Sequence, residues 1–184
     1  MTNLFPIQKQ QEHPIFGRFN VRYGDTLVNY CPLLSKFQIN ILTVEEYKAL
    51  PAGTPLIDDI DIEAFACFIQ KDGDTADTTN AGIVFNSALI DFFGFTEPEQ
   101  HACIAHEIGH ILFFFDNVDQ IKRGGQGEEI FADGVAAEIS LAAEMFSAIE
   151  KMVNSGKYAH PESRFGMRKK YSKCMYIDNI DDNL

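Results

Sequence analysis

The chain lacks the features that would direct it to a membrane or to nucleic acid. Its 184 residues carry 15 basic and 27 acidic side chains, a formal net charge of −12. It therefore has no excess of Lys and Arg with which to bind phosphates or anionic lipid headgroups. The apolar run at 111–115 is far too short to cross a bilayer. We expect neither a nucleic-acid partner nor a membrane partner.

The sequence also lacks the signatures of secretion and of a disulfide framework. The chain does not open with a basic stretch followed by an apolar one, which a signal peptide needs. Its 4 cysteines are scattered without C-x-x-C spacing, which favours reduced structural thiols: Cys31, Cys67, Cys103 and Cys174. These absences predict a cytoplasmic protein, and the length fits a single domain over 1–184.

The strongest functional signal is the pentad His106-Glu107-Ile108-Gly109-His110. Two histidines four residues apart on a helix lie one above the other, so both imidazoles can bind one zinc ion at about 2.0–2.1 Å. Glu107 lies close to the same face, where it can accept a proton from a metal-bound water. The surrounding residues are apolar, and three polar side chains on a buried helix need a shared partner. The pattern predicts one zinc ion per chain.

A catalytic zinc site needs a third protein ligand besides the two histidines. The metzincin extension, x-x-Gly-x-x-His after His110, is absent because Phe113 and Asp116 occupy the Gly and His positions. A later helix offers two adjacent carboxylates, Glu128 and Glu129, the second of them 19 residues after His110. We predict that Glu129 is the third ligand, with Glu128 as the alternative.

Further residues could support this site. Asp133 lies one helical turn beyond Glu129, where its carboxylate could accept the outer ring N–H of a zinc-bound histidine and so fix the orientation and tautomer of the ring. Hydrolysis also needs a donor for the oxyanion of the transition state. Three polar residues that follow the helix of Glu128 and Glu129 are candidates for that donor: Tyr158, His160 and Arg164.

Hydrophobic periodicity and turn residues predict an α+β fold. A small antiparallel or mixed sheet is expected to pack on the helix that carries the pentad, here called the motif helix, and on a second helix that carries Glu128 and Glu129. Capping-box sequences begin a short helix at Thr43 and the motif helix at Thr96. The predicted strands span 37–42, 64–70 and 81–86, and the two main helices run to about 115 and over about 128–153. Residues 1–36 are expected to form an extended arm or short irregular elements.

The pentad with Glu129-Ile130-Phe131-Ala132-Asp133 resembles the gluzincin metallopeptidases. Together with a strand that ends Val84-Phe85-Asn86 and with Ala136, it is similar to the ImmA/IrrE-like family of small cytoplasmic zinc peptidases. The resemblance implies a zincin-like fold and a regulatory protein, of the repressor type, as substrate. An acidic chain would also favour a basic substrate, such as a DNA-binding regulator.

These observations predict a zinc-dependent peptidase. Glu107 would take a proton from the attacking water and pass it to the leaving nitrogen. We expect strand 81–86 to lie at the edge of the sheet and an extended peptide substrate to pair with it as an additional strand. Two alternatives stay open, namely a zincin-fold metal-binding regulatory or interaction protein with little or no turnover, and a purely structural metal site.

Overall fold

The computed structural model describes residues 2–51, 57, 60–69, 81–116 and 126–157. Within them, seven α-helices, one 3-10 helix and three strands form a mixed α+β fold, as the sequence predicts. In chain order the elements are α1 Ile7–Glu12, α2 Pro14–Tyr30, the 3-10 helix Pro32–Lys36, β1 Asn40–Thr43, α3 Val44–Lys48, β2 Phe65–Ile69, β3 Ala81–Phe85, α4 Ser87–Phe93, α5 Glu97–Asp116, α6 Gln126–Glu138 and α7 Ala142–Asn154. None of these helices is long and apolar enough to span a membrane.

The sheet has the strand order β1-β3-β2. β1 runs parallel to β3, with Ile41 opposite Ile83, and β2 runs antiparallel to β3, with Cys67 opposite the same residue. The prediction that strand 81–86 forms an edge is therefore wrong, because β3 is paired on both sides. Its first four residues are all buried, which is typical of a central strand. The edges of the sheet, among the described residues, are β1 and β2.

The expectation of an extended arm or short irregular elements over 1–36 is also wrong, as far as residues 2–36 are described. This region forms α1, α2 and the 3-10 helix. α2 buries residues at helical spacing, namely Phe16, Phe19, Asn20, Tyr23, Gly24 and Leu27. The side-chain amide of Asn20 accepts a hydrogen bond from the Leu4 N–H at 2.9 Å and donates one to the carbonyl of Thr2 at 2.8 Å. The first residues are thereby fixed against α2.

Both capping sequences begin helices as predicted. The Thr43 hydroxyl accepts from the N–H of Glu46, and the Glu46 carboxylate accepts from the N–H of Thr43, which completes a capping box at α3. At α5 the carboxylate of Glu99 accepts from the backbone N–H and the hydroxyl of Thr96 at 2.6 and 2.9 Å. α5 then continues to Asp116, close to its predicted end.

α5 is the central helix of the fold, and every residue from 101 to 112 is buried. It packs against β2, α2, α6 and α7. Near its beginning, the buried carboxylate of Glu99 accepts hydrogen bonds from Ser147 and Lys151 of α7, each at 2.6 Å. Burial alone would raise the pKa of Glu99, but these donors and Thr96 together lower it. The helix that carries the pentad is thus held by contacts with both the sheet and the neighbouring helices.

The second predicted helix, over 128–153, is two helices. α6 ends at Glu138 and α7 begins at Ala142. Between them, Ser140 adopts a left-handed conformation with φ 64°, and the N–H of Leu141 donates to the carbonyl of Ala136 at 2.9 Å. This turn closes α6. Buried apolar positions continue on both sides of it, so the sequence pattern does not reveal the break.

Candidate metal centre

The candidate site lies between α5 and α6, which pack side by side and run antiparallel. His106 and His110 project from consecutive turns of α5, and Glu129 projects from the first part of α6. All three side chains are nearly inaccessible, with 2–4 % of their surface exposed. α6 returns along α5, so that its beginning faces His110 and its next turn faces His106.

The inner atoms of these three side chains converge. Nε2 of His106 lies 2.8 Å from Nε2 of His110. The two oxygens of Glu129 lie 3.5 Å from Nε2 of His106 and 3.7 Å from Nε2 of His110. The three residues form a cluster, with one ligand atom from each within 4.8 Å of the others, that could hold a metal ion.

The outer ring nitrogens face two further carboxylates of α6. Nδ1 of His106 lies 2.8 Å from Oδ1 of Asp133, and Nδ1 of His110 lies 2.7 Å from Oε1 of Glu128. An ionised carboxylate only accepts hydrogen bonds, so these distances favour a proton on each Nδ1. Each Nε2 is then left with a lone pair directed toward Glu129.

A cation would stabilise this arrangement of electron-pair donors. Two imidazole lone pairs and a carboxylate directed at one buried point repel one another unless a positive charge lies between them. Ligand atoms bound to zinc at about 2.0–2.1 Å lie about 3.3 Å apart in a tetrahedron. The two distances from Glu129 are within a few tenths of an ångström of that value, and the two histidines would have to separate by about half an ångström. The donor set therefore fits a metal ion.

Four carboxylates of α5 and α6 are buried around these histidines: Glu107, Glu128, Glu129 and Asp133, each with at most 8 % of its surface exposed. Burying so much negative charge costs free energy unless cations compensate it. Asp133, expected from the sequence as an orienting carboxylate, lies beside the outer nitrogen of His106, and its orienting role stays a prediction. Glu128, expected only as an alternative ligand, faces the outer nitrogen of His110 instead of the inner ones.

The two helices approach unusually closely beside the His-His-Glu cluster. A Cβ built on Gly109 of α5 would lie 2.6 Å from Cα of Ala132 on α6, a distance that real Cβ atoms do not adopt. The absence of a side chain at Gly109 thus allows the backbones to meet at this point. The neighbouring residues, His110 on one helix and Asp133 on the other, are brought within reach of their partners.

Aromatic side chains border the cluster on the side of the α5 C-terminus. The ring of Phe114 stacks almost parallel to the imidazole of His110, with centroids 6.2 Å apart and an interplanar angle of 19°. Phe113 contacts Phe131 of α6 with centroids 5.5 Å apart, and Phe131 is 36 % exposed. This apolar border lowers the local dielectric and strengthens electrostatic interactions at the cluster.

The remaining predicted site residues receive less support. Glu107 lies on α5 next to His106 and is 8 % exposed, and its role as a base stays a prediction. Tyr158, His160 and Arg164 lie outside the described residues. Cys31, Cys67 and Cys103 form no disulfides, and none of them belongs to the metal cluster.

Comparisons of the chain with models of protein families, with curated proteins and with solved structures find no match. The fold and the site therefore define the molecule only as a mixed α+β protein with a buried His-His-Glu cluster that could hold a metal ion. Any more specific function has to be inferred from the chemistry of that cluster.

Proposed function

We propose that this chain is a zinc-dependent peptidase of the gluzincin type. One observation carries the proposal, namely the convergence of His106 Nε2, His110 Nε2 and the Glu129 carboxylate, with a further carboxylate at each outer ring nitrogen. In the H-E-x-x-H sequence Glu107 directly follows the first of these ligands. A glutamate at this position can act as the base that metal-assisted hydrolysis requires.

The donor set favours zinc in a catalytic site over zinc in a structural one. Structural zinc is usually closed by four protein ligands, many of them thiolates, whereas catalytic zinc takes three and leaves one position for water. The cluster contains two imidazoles, one carboxylate and no thiolate. Bound there, zinc would supply a Lewis acid and lower the pKa of a coordinated water to about 7.

The protein's own residues have separate tasks in this proposal. Asp133 and Glu128 keep the proton on Nδ1 of His106 and His110, so that each Nε2 is available as a ligand. Glu107 accepts a proton from the attacking water and delivers it to the nitrogen of the leaving amine, so no external acid is needed. The low solvent exposure of the site strengthens the electrostatic interactions that stabilise the oxyanion.

An extended peptide would add to the sheet at β2. β3 is excluded because both of its sides are already paired. Of the two edge strands among the described residues, β2 packs more extensively against α5, so a substrate strand added there would lie close to the ligand-bearing helix. The resemblance to the ImmA/IrrE-like family supports a regulatory protein as that substrate, and the net charge of −12 favours a basic one.

The substitution Glu107→Gln tests the mechanism. It keeps the size of the side chain and removes the base, so zinc should stay bound while hydrolysis of a mixed peptide library falls about 10²–10⁴-fold. Metal content is measured on the same samples by elemental analysis, and cleavage is followed by mass spectrometry. Undiminished hydrolysis by the zinc-loaded variant would show that Glu107 is not the base.

One observation favours a second candidate, a metal-binding regulatory protein with little turnover. His106, Glu107 and Glu129 are all at least nine-tenths buried, whereas a peptidase must admit a peptide carbonyl to its metal. Wild-type protein that binds one zinc ion yet cleaves nothing in a proteome-derived peptide library would support this candidate. Cleavage at defined bonds, abolished by Glu107→Gln, would exclude it.

A further inference from the structure

We propose that Gly109 is a positioning residue, whose missing side chain sets the distance between α5 and α6 at which the metal ligands of the two helices meet. The proposal rests on the metal site described above. Gly109 lies inside a helix, where glycine is one of the least favourable residues. Its presence there needs a physical reason, which its contacts supply.

The contacts of Gly109 are with the backbone of the facing helix. A Cβ at this position would lie 2.6 Å from Cα, 3.0 Å from the carbonyl oxygen and 3.2 Å from Cβ of Ala132. Two of these three atoms belong to the backbone, so no change of rotamer can move them away. Ala132 is itself fully buried. A side chain at Gly109 would therefore force the two helices apart.

The required movement is large compared with the tolerance of the site. Ordinary van der Waals contact begins at 3.4 Å, so the closest pair would have to separate by about 0.8 Å. Glu129 already lies 3.5 and 3.7 Å from the two Nε2 atoms, slightly beyond the 3.3 Å or so of a tetrahedral zinc site. A further separation would take Glu129 out of reach of an ion held by both histidines.

The chain offers a matched control in Gly127. This glycine lies on α6, two residues before Glu129, and a Cβ built on it would meet no atom of another described element within 4 Å. Gly127→Ala and Gly109→Ala thus make the same chemical change on the two helices of the site. They differ in whether the new methyl group meets the opposite backbone.

The experiment measures metal binding by the full-length protein and not only its activity. The zinc dissociation constants of wild type, Gly109→Ala and Gly127→Ala are determined by competition with a chromophoric chelator, and the visible absorption spectrum of each cobalt-loaded protein reports the coordination geometry. We expect Gly109→Ala to bind zinc at least tenfold more weakly and to show an altered cobalt spectrum. Gly127→Ala should match wild type in both measurements.

The outcomes separate this inference from the proposed function. Equal affinity and equal spectra for Gly109→Ala and wild type would overturn the positioning role and leave the metal site standing. A wild-type protein that binds no zinc would overturn both. If circular dichroism shows that Gly109→Ala does not fold, Ala132→Ser takes its place, since it adds one atom to the same contact from α6. That variant should bind zinc several-fold more weakly, and unchanged affinity would contradict the inference.

Discussion

Glu128 and His110 are paired across the interface between α6 and α5, with Oε1 of the carboxylate 2.7 Å from Nδ1 of the imidazole. Glu129, the next residue, faces the opposite nitrogen of the same ring. One helical turn further along, Oδ1 of Asp133 contacts Nδ1 of His106 in the same way, at 2.8 Å. Each histidine thus contacts one carboxylate of α6 at its outer nitrogen, and both histidines face Glu129 with their inner nitrogens.

Glu128→Ala should weaken metal binding without removing a ligand. Without the carboxylate, His110 loses the group that holds its proton on Nδ1, and we expect a zinc affinity lower by about 10–100-fold. Glu128→Gln keeps an acceptor oxygen and should lose less. The exposed Glu138, at the end of the same helix, provides the control Glu138→Ala. Chelator competition measures all three, and equal affinities would show that the contact with His110 has no effect on the site.

Removal of metal should destabilise the protein, because an ion bound by His106, His110 and Glu129 would join α5 to α6. At a free zinc concentration of 100 times Kd, binding stabilises the folded state by about 2.7 kcal/mol, and a chelator should lower Tm by roughly 5–10 °C in a chain of this size. The change is measured by differential scanning calorimetry with and without chelator. A variant with both His106→Ala and His110→Ala should not respond, and a wild-type Tm that also fails to respond would argue against a bound metal.

His101 should make stability depend on pH below neutrality. It is 1 % exposed and contacts the rings of Phe19 and Tyr23, whose centroids lie 5.6 and 5.5 Å from its own. Burial lowers the pKa of His101 below its ordinary value of 6.5, and the nearby Glu97 opposes only part of that effect. Below pH 6.5 His101 holds more of its proton in the unfolded state than in the folded state, so its contribution lowers the stability as the pH drops from about 6.5 toward the lowered pKa.

The substitution His101→Phe isolates this contribution. An aromatic ring of similar size removes the titrating group, so the urea midpoint of the variant should fall less steeply than that of wild type below pH 6.5. Unfolding is followed by circular dichroism at several pH values. Parallel pH profiles for the two proteins would show that His101 does not contribute to the dependence.

Local sequence signals account for much of the fold. The start of α5, the capping box at Thr43 and the strands β2 and β3 are all specified by residues within a few positions of one another. The sequence pattern does not reveal α2, because three poor helix formers interrupt its apolar positions: Gly17, Asn20 and Gly24. Whether β3 is central or an edge depends on its pairing with β1, some 40 residues earlier in the chain, and local patterns do not contain that information.

The same distinction applies to the site. The spacing of His106 and His110 is a local property of one helix and follows directly from the sequence. Glu128 and Glu129 are adjacent, about 100° apart around α6. Which of the two side chains points at the inner ring nitrogens therefore depends on how α6 is rotated about its axis relative to α5. That rotation belongs to the packing of the two helices, in which Gly109 of α5 meets Ala132 of α6, a residue more than 20 positions away in the chain. The contact of Glu128 with His110 could not be read from the order of residues.

The most direct test of the central claim is the metal content and coordination of wild type beside Glu129→Ala. X-ray absorption at the zinc edge distinguishes imidazole and carboxylate ligands from thiolates, and elemental analysis counts ions per chain. We predict one zinc ion per wild-type chain, bound by two imidazole nitrogens and by oxygen at about 2.0–2.1 Å, and at least a tenfold loss of zinc affinity in Glu129→Ala. A wild-type chain that holds no zinc, or that holds it equally well without Glu129, would contradict the account.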